Sequence, residues 1–149
     1  MPAPSGSIAG PPLERAALGR AARVLLVEDD RELREALADV LMLEGFEVEQ
    51  AENGLDALLH LRSAPRPPDV VVLDLDMPLM DGREFREAQL RNPALAAVPV
   101  LVLSSHVEEG LPLGGLGKPC SPERLLARLR ALITFSESRA ADAGRHASP

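Results

Sequence analysis

Four separate pieces of the chain carry side chains able to do chemistry together. They are the acidic run Glu28-Asp29-Asp30, Asp74 at the end of Val70-Val71-Val72-Leu73, Ser104 after a second apolar run, and Lys118 before a proline. Each follows a segment that reads as a strand, so each stands at a strand's carboxyl end. Open α/β sheets place their ligand sites along that edge. An aspartate ending a strand buried on both faces is costly unless a metal or a cation compensates it. Converging carboxylates repel one another, and their natural partner is a hard divalent cation. An oxygen ligand set that keeps several waters suits Mg2+ better than zinc. The lysine ammonium and the serine hydroxyl then offer a point charge and a donor for a phosphoryl group.

The elements that must position these groups follow from the apolar spacing. Arg23–Val27 is an apolar strand. From Leu33, apolar residues recur at Ala36, Leu37, Val40 and Leu41, one face of a helix that Glu44-Gly45 closes and Asp29 or Asp30 caps. Phe46–Gln50 is a short alternating strand, and Asn53-Gly54 opens a second helix through Arg62. After a Pro-rich loop come the Asp74 strand, a third helix over Arg83–Arg91 and a strand over Val98–Leu103. Ser121-Pro122 starts the last helix, whose buried face is Leu125, Leu129, Leu132 and Ile133. Strands alternating with helices predict a doubly wound parallel α/β sheet with right-handed crossovers.

Composition narrows the function. The chain has 149 residues, enough for one domain with a real core. Its three Phe, with no Tyr or Trp, predict an aliphatic interior. A net charge of −7 argues against a nucleic-acid surface, which needs clustered Lys and Arg. The single cysteine, Cys120, fits a reducing compartment. No apolar run reaches the length of a membrane span, and the Pro- and Gly-broken start is not a secretory signal. The expectation is a cytoplasmic domain over residues 23–134, between a flexible leader (1–22) and a flexible tail (135–149).

At these residues the chain resembles the receiver domains of two-component response regulators. The matching pieces are Val27-Glu28-Asp29-Asp30, Asn53-Gly54-Leu55-Asp56-Ala57-Leu58, Asp74-Leu75-Asp76-Met77-Pro78-Leu79-Met80-Asp81-Gly82, Ser104 and Lys118-Pro119. Their specificity lies in occurring together, in the right order, on the right elements, from about Arg23 to Ile133. The resemblance implies a flavodoxin-like sheet of five parallel strands in the order 2-1-3-4-5. It implies that Asp74 is the phosphoacceptor, attacking the phosphohistidine of a sensor histidine kinase or phosphotransfer protein. Asp29, Asp74 and the backbone carbonyl of Asp76 would hold Mg2+, with Glu28 acting through water or behind the direct ligands. Lys118 would pair with Asp74 or its phosphoryl group, and Ser104 would hydrogen-bond a phosphoryl oxygen. The product is a signal passed by protein–protein contact, not catalysis on an external substrate.

The pattern also departs from the family. Ser104 and Lys118 lie fourteen residues apart, roughly eight fewer than usual, or about two turns of helix. The helix between the fourth and fifth strands is therefore expected to be missing or reduced to a turn, with the fifth strand near Leu113–Leu116. Where the family carries a ring three residues before the lysine, this chain has Gly115. Receiver dimers often use the shortened helix, so a monomer is expected. Two other classes stay open: a receiver-like interaction module that works without phosphorylation, and a haloacid-dehalogenase-like phosphatase. The latter places its metal-binding acidic pair after the lysine and usually carries a cap. Singly, the site residues have plainer readings as a turn cap, a helix-start charge cluster, a strand end and a surface lysine. Cys120 reads as a small buried residue, and His60, His106 and His146 lack ligand spacing.

Overall fold

The computed structural model describes residues 20–75, 77, 80–104, 115–118 and 120–146. In chain order the elements are β1 (Arg23–Val27), α1 (Arg31–Leu43), β2 (Glu47–Ala51), α2 (Gly54–Ser63), β3 (Val70–Asp74), α3 (Gly82–Leu90), α4 (Pro93–Ala96), β4 (Val100–Ser104), β5 (Leu116–Gly117) and α5 (Pro122–His146). The strands form one parallel sheet in the order β2-β1-β3-β4-β5. This is the expected flavodoxin-like topology.

The period-two alternation of each strand builds two cores, one on each face. Val24, Leu26, Val70, Val72, Leu101 and Leu103 turn towards Leu41 and towards Leu125, Leu129 and Ile133 of α5. Leu25, Val27, Val71, Leu73 and Val100 turn the other way, onto Leu58 and Leu61 of α2, Phe85 of α3 and Leu95 of α4. Covering both faces explains why β3 is a continuous apolar run with every residue buried.

Local chemistry sets the helix starts. Asp30 caps α1, its side chain accepting the Leu33 N–H at 3.1 Å, and Gly45 ends that helix with φ 95°. Asn53 and Asp81 cap α2 and α3 in the same way. Because Asp30 is the cap, Asp29 is left for other work.

Several boundaries differ from the sequence reading. The structured domain begins before residue 23: Ala22 is fully buried, and Arg20 makes a two-pronged ion pair with Asp69 at 2.8 and 3.0 Å. Asp69 also accepts the Arg23 backbone N–H at 2.7 Å, joining the starts of β1 and β3. At the other end, α5 runs on to His146, through residues expected to form a tail. Apolar periodicity stops at Ile133, but the Ala-, Glu- and Arg-containing sequence beyond it propagates a helix already nucleated. The short α4 was missed, although Asn92-Pro93 marks it: Asn92 accepts the Ala94 N–H at 3.0 Å, and proline takes the first turn. β5 is Leu116–Gly117, slightly later than expected. The expected shortening of the helix after β4 falls on residues 105–114, and the leader on residues 1–19, both outside the described residues. Among the described residues, no helix is long and apolar enough to cross a membrane.

Candidate functional site

The parallel register gathers the predicted groups at the carboxyl edge of the sheet. Glu28 is the first residue beyond β1, and its N–H still donates to Ala51 O of β2 at 3.1 Å. Asp74 closes β3 opposite Leu103, and Ser104 closes β4 one position further on. Lys118 follows β5 directly and donates its backbone N–H to Ser104 O at 2.8 Å. Glu28, Asp74 and Ser104 are all buried, whereas Asp29 is exposed.

Glu28, Asp29 and Asp74 each bring a carboxylate oxygen within 4.8 Å of the others. The Lys118 ammonium bridges two of them. It donates to both oxygens of Glu28 at 3.0 Å and lies 3.1 Å from Asp74 Oδ2. Burial, reinforced by the neighbouring Asp74, pushes the Glu28 carboxyl up to about 7 against the opposing pull of Lys118. Asp29 is also raised, by loss of hydration and by Asp74. Burial works against the charge on Lys118, but its hydrogen bonds to Glu28 and Asp74 outweigh this and hold its pKa above the ordinary value.

Three carboxylates facing one ammonium leave an excess of negative charge in a partly dehydrated place. Donors that are all oxygen fit a hard divalent cation such as Mg2+. The expected further ligand, the backbone carbonyl of Asp76, lies outside the described residues. The arrangement therefore sets the Asp74 carboxylate beside a fixed ammonium and leaves negative charge for a second cation to balance.

The structure brings Glu28, Asp29, Asp74 and Lys118 together, and the expected Lys118–Asp74 pair is present. The two-pronged contact of Lys118 with Glu28 comes in addition to it. That pairing spans the ends of β3 and β4 and depends on sheet twist and side-chain reach, so no local sequence signal announces it. Arg34 of α1 was also overlooked, although its Nη1 donates to Glu28 O at 2.8 Å. Cys120 packs half-buried against the α5 side of the core, and burial pushes its thiol up, as suits a structural sulfur. His60 sits between Glu49 and Asp56 at 3.5 and 3.7 Å, away from this edge.

Comparison with known proteins agrees with this geometry. The family profile of the response regulator receiver domain matches residues 24–130. A transcriptional regulatory protein, the CpxR homolog of Haemophilus influenzae, is 40% identical over 124 residues, covering 78% of this chain and 52% of the relative. The chain thus spans about half the length of the curated relatives it matches. Among solved structures, the chemotaxis response regulator CheY4 of Vibrio cholerae superposes with a TM-score of 0.69 at 32% identity, covering 75% of this chain and 98% of that one. The receiver domain of a signal transduction histidine kinase from Syntrophus aciditrophicus gives 0.70 at 28% identity, covering 77% and 92%. The chain belongs to the response regulator receiver domain family of two-component signalling, a family of signalling modules rather than classical enzymes.

Proposed function

We propose that this receiver accepts a phosphoryl group on Asp74 from a phosphohistidine of a sensor histidine kinase or phosphotransfer protein. An Asp74 oxygen attacks phosphorus as the P–N bond to the imidazole breaks. The product is an acyl phosphate, and the nitrogen keeps the electron pair and takes up a proton. One observation carries the reading: Asp74 ends the central strand 3.1 Å from the Lys118 ammonium and within 4.8 Å of two further carboxylates.

Asp29 and Asp74 would hold Mg2+, with the Asp76 carbonyl as a further ligand and Glu28 acting through water or behind the direct ligands. When bound, the ion neutralises charge on the transferring phosphoryl oxygens. Lys118 supplies a second fixed positive charge, and the Ser104 hydroxyl, at the same edge, donates to a phosphoryl oxygen. The chain's contribution is position and electrostatics.

The phosphorylated domain signals by docking to another protein in the cytoplasm, as a monomer and without contacting nucleic acid. With Gly115 in place of a ring, the read-out runs through another face. Intact mass spectrometry after mixing with Mg2+ and acetyl phosphate tests the core of this reading. The expected result is a transient phosphoryl adduct that Asp74→Asn abolishes. Absence of an adduct under all conditions favours a phosphorylation-independent module, and turnover of external phosphomonoesters favours a phosphatase.

A further inference from the structure

Arg34 is not a member of the acidic cluster, yet it is tied to it. It lies half-buried in the first turns of α1, where its Nη1 donates to the backbone carbonyl of Glu28 at 2.8 Å and its Nε to Gln50 Oε1 of β2 at 3.2 Å. The Glu28 carbonyl belongs to the peptide that leads into Asp29. On one side of that peptide, the Glu28 N–H is locked into the β1–β2 ladder through Ala51 O. On the other, Asp30 is committed to capping α1. Asp29, the exposed carboxylate of the cluster, hangs between these fixed points, and the Glu28–Asp29 peptide is held in orientation by Arg34.

From this geometry we infer that Arg34 is a positioning residue for divalent-cation binding, aiming the Asp29 carboxylate by fixing the peptide before it. The inference rests on the cation site proposed above, and the two fail separately. Its sign separates it from plain electrostatics. A positive charge beside an acidic cluster opposes cation binding, so removing it should tighten binding if charge were all that mattered. A positioning role requires the reverse. Groups that orient metal ligands typically alter affinity by tenfold or more when removed, and about tenfold is expected here.

Titration of the full-length chain with Mn2+, a paramagnetic stand-in for Mg2+, followed by electron paramagnetic resonance, reads this directly. Arg34→Gln should raise the Mn2+ Kd about tenfold while leaving the thermal midpoint of the metal-free protein nearly unchanged. Arg34→Lys keeps the charge and one donor for the Glu28 carbonyl, and should recover part of the loss. It also serves as the readable variant if Arg34→Gln does not fold. Gln50→Ala cuts only the β2 arm and should bind Mn2+ like the parent. Unchanged or tighter binding in Arg34→Gln overturns the inference, as does equal weakening in Gln50→Ala, which would mean general loosening. If the parent binds no Mn2+, or Asp29→Asn binds it as well as the parent, the cation site itself is refuted.

Discussion

Asp74 and Glu28 compete for one ammonium, and that competition shapes what single substitutions do. Three carboxylates converge at the end of the sheet, so the metal-free site stores repulsion that function requires and folding does not. Asp74→Asn removes one charge and keeps the shape. It should abolish the phosphoryl adduct and raise metal-free stability by about 1 kcal/mol in urea denaturation; a clear loss of stability would contradict the assigned strain. Lys118→Ala acts the other way, leaving Glu28 and Asp74 buried without their shared cation. The expected cost is about 2 kcal/mol, below the usual range for a broken buried pair because Glu28 is already poised to take up a proton. An unchanged urea midpoint in this variant would mean that the bridge contributes nothing net.

Elements meet closely where α2 begins. The Gly54 N–H donates to Met80 O at 3.2 Å, and a Cβ placed on Gly54 would stand 2.6 Å from that oxygen and 2.9 Å from Met80 Cγ. Glycine is required there by close approach, because Met80 lies directly against the start of α2. Alanine is the better helix former by about 1 kcal/mol, but a contact this short with a backbone atom must displace Met80. Gly54→Ala should therefore lose about 1–3 kcal/mol of stability and weaken Mn2+ binding, the first read by urea denaturation and the second by paramagnetic titration. A stabilised variant with parental affinity would disprove the clamp. The same scale shows what sequence can and cannot disclose. Caps such as Asp30 and Asn53 and the apolar run of β3 were legible because their causes are local. Gln89 was not: a glutamine in a polar helix reads as solvated. It is in fact fully buried, donating to Leu95 O and Val98 O at 2.8 and 3.1 Å and so fastening α3 to the turn before β4. The Glu28–Lys118 and Arg34–Glu28 contacts were hidden for a related reason, since they join elements far apart in the chain.

Across the whole molecule, the two ends of the sheet have opposite electrostatic characters. At the carboxyl end, burial and like charge raise the carboxyls of Glu28 and Asp29. At the amino end burial also acts on Asp69, but the Arg20 guanidinium and the Arg23 N–H outweigh it and hold its carboxyl below the ordinary value of 3.8. A carboxyl depressed on folding stabilises the protein fully above its unfolded pKa, and that contribution is lost as pH falls through the folded pKa. Asp69→Asn should therefore lower stability by about 1.5 kcal/mol at pH 7, with the gap closing below about pH 4. A deficit that persists undiminished at pH 2 would show that charge is not its source. The two-residue β5 has a consequence of its own. So short an edge holds its place weakly by ladder bonds alone, and the residue after it is moored at both ends, by its N–H to Ser104 and by its ammonium to Glu28 and Asp74. The charge balance of the site and the attachment of the sheet's last strand thus draw on a single free energy. By reciprocity, whatever quenches the carboxylates slackens the strand, and whatever grips the strand tunes the carboxylates.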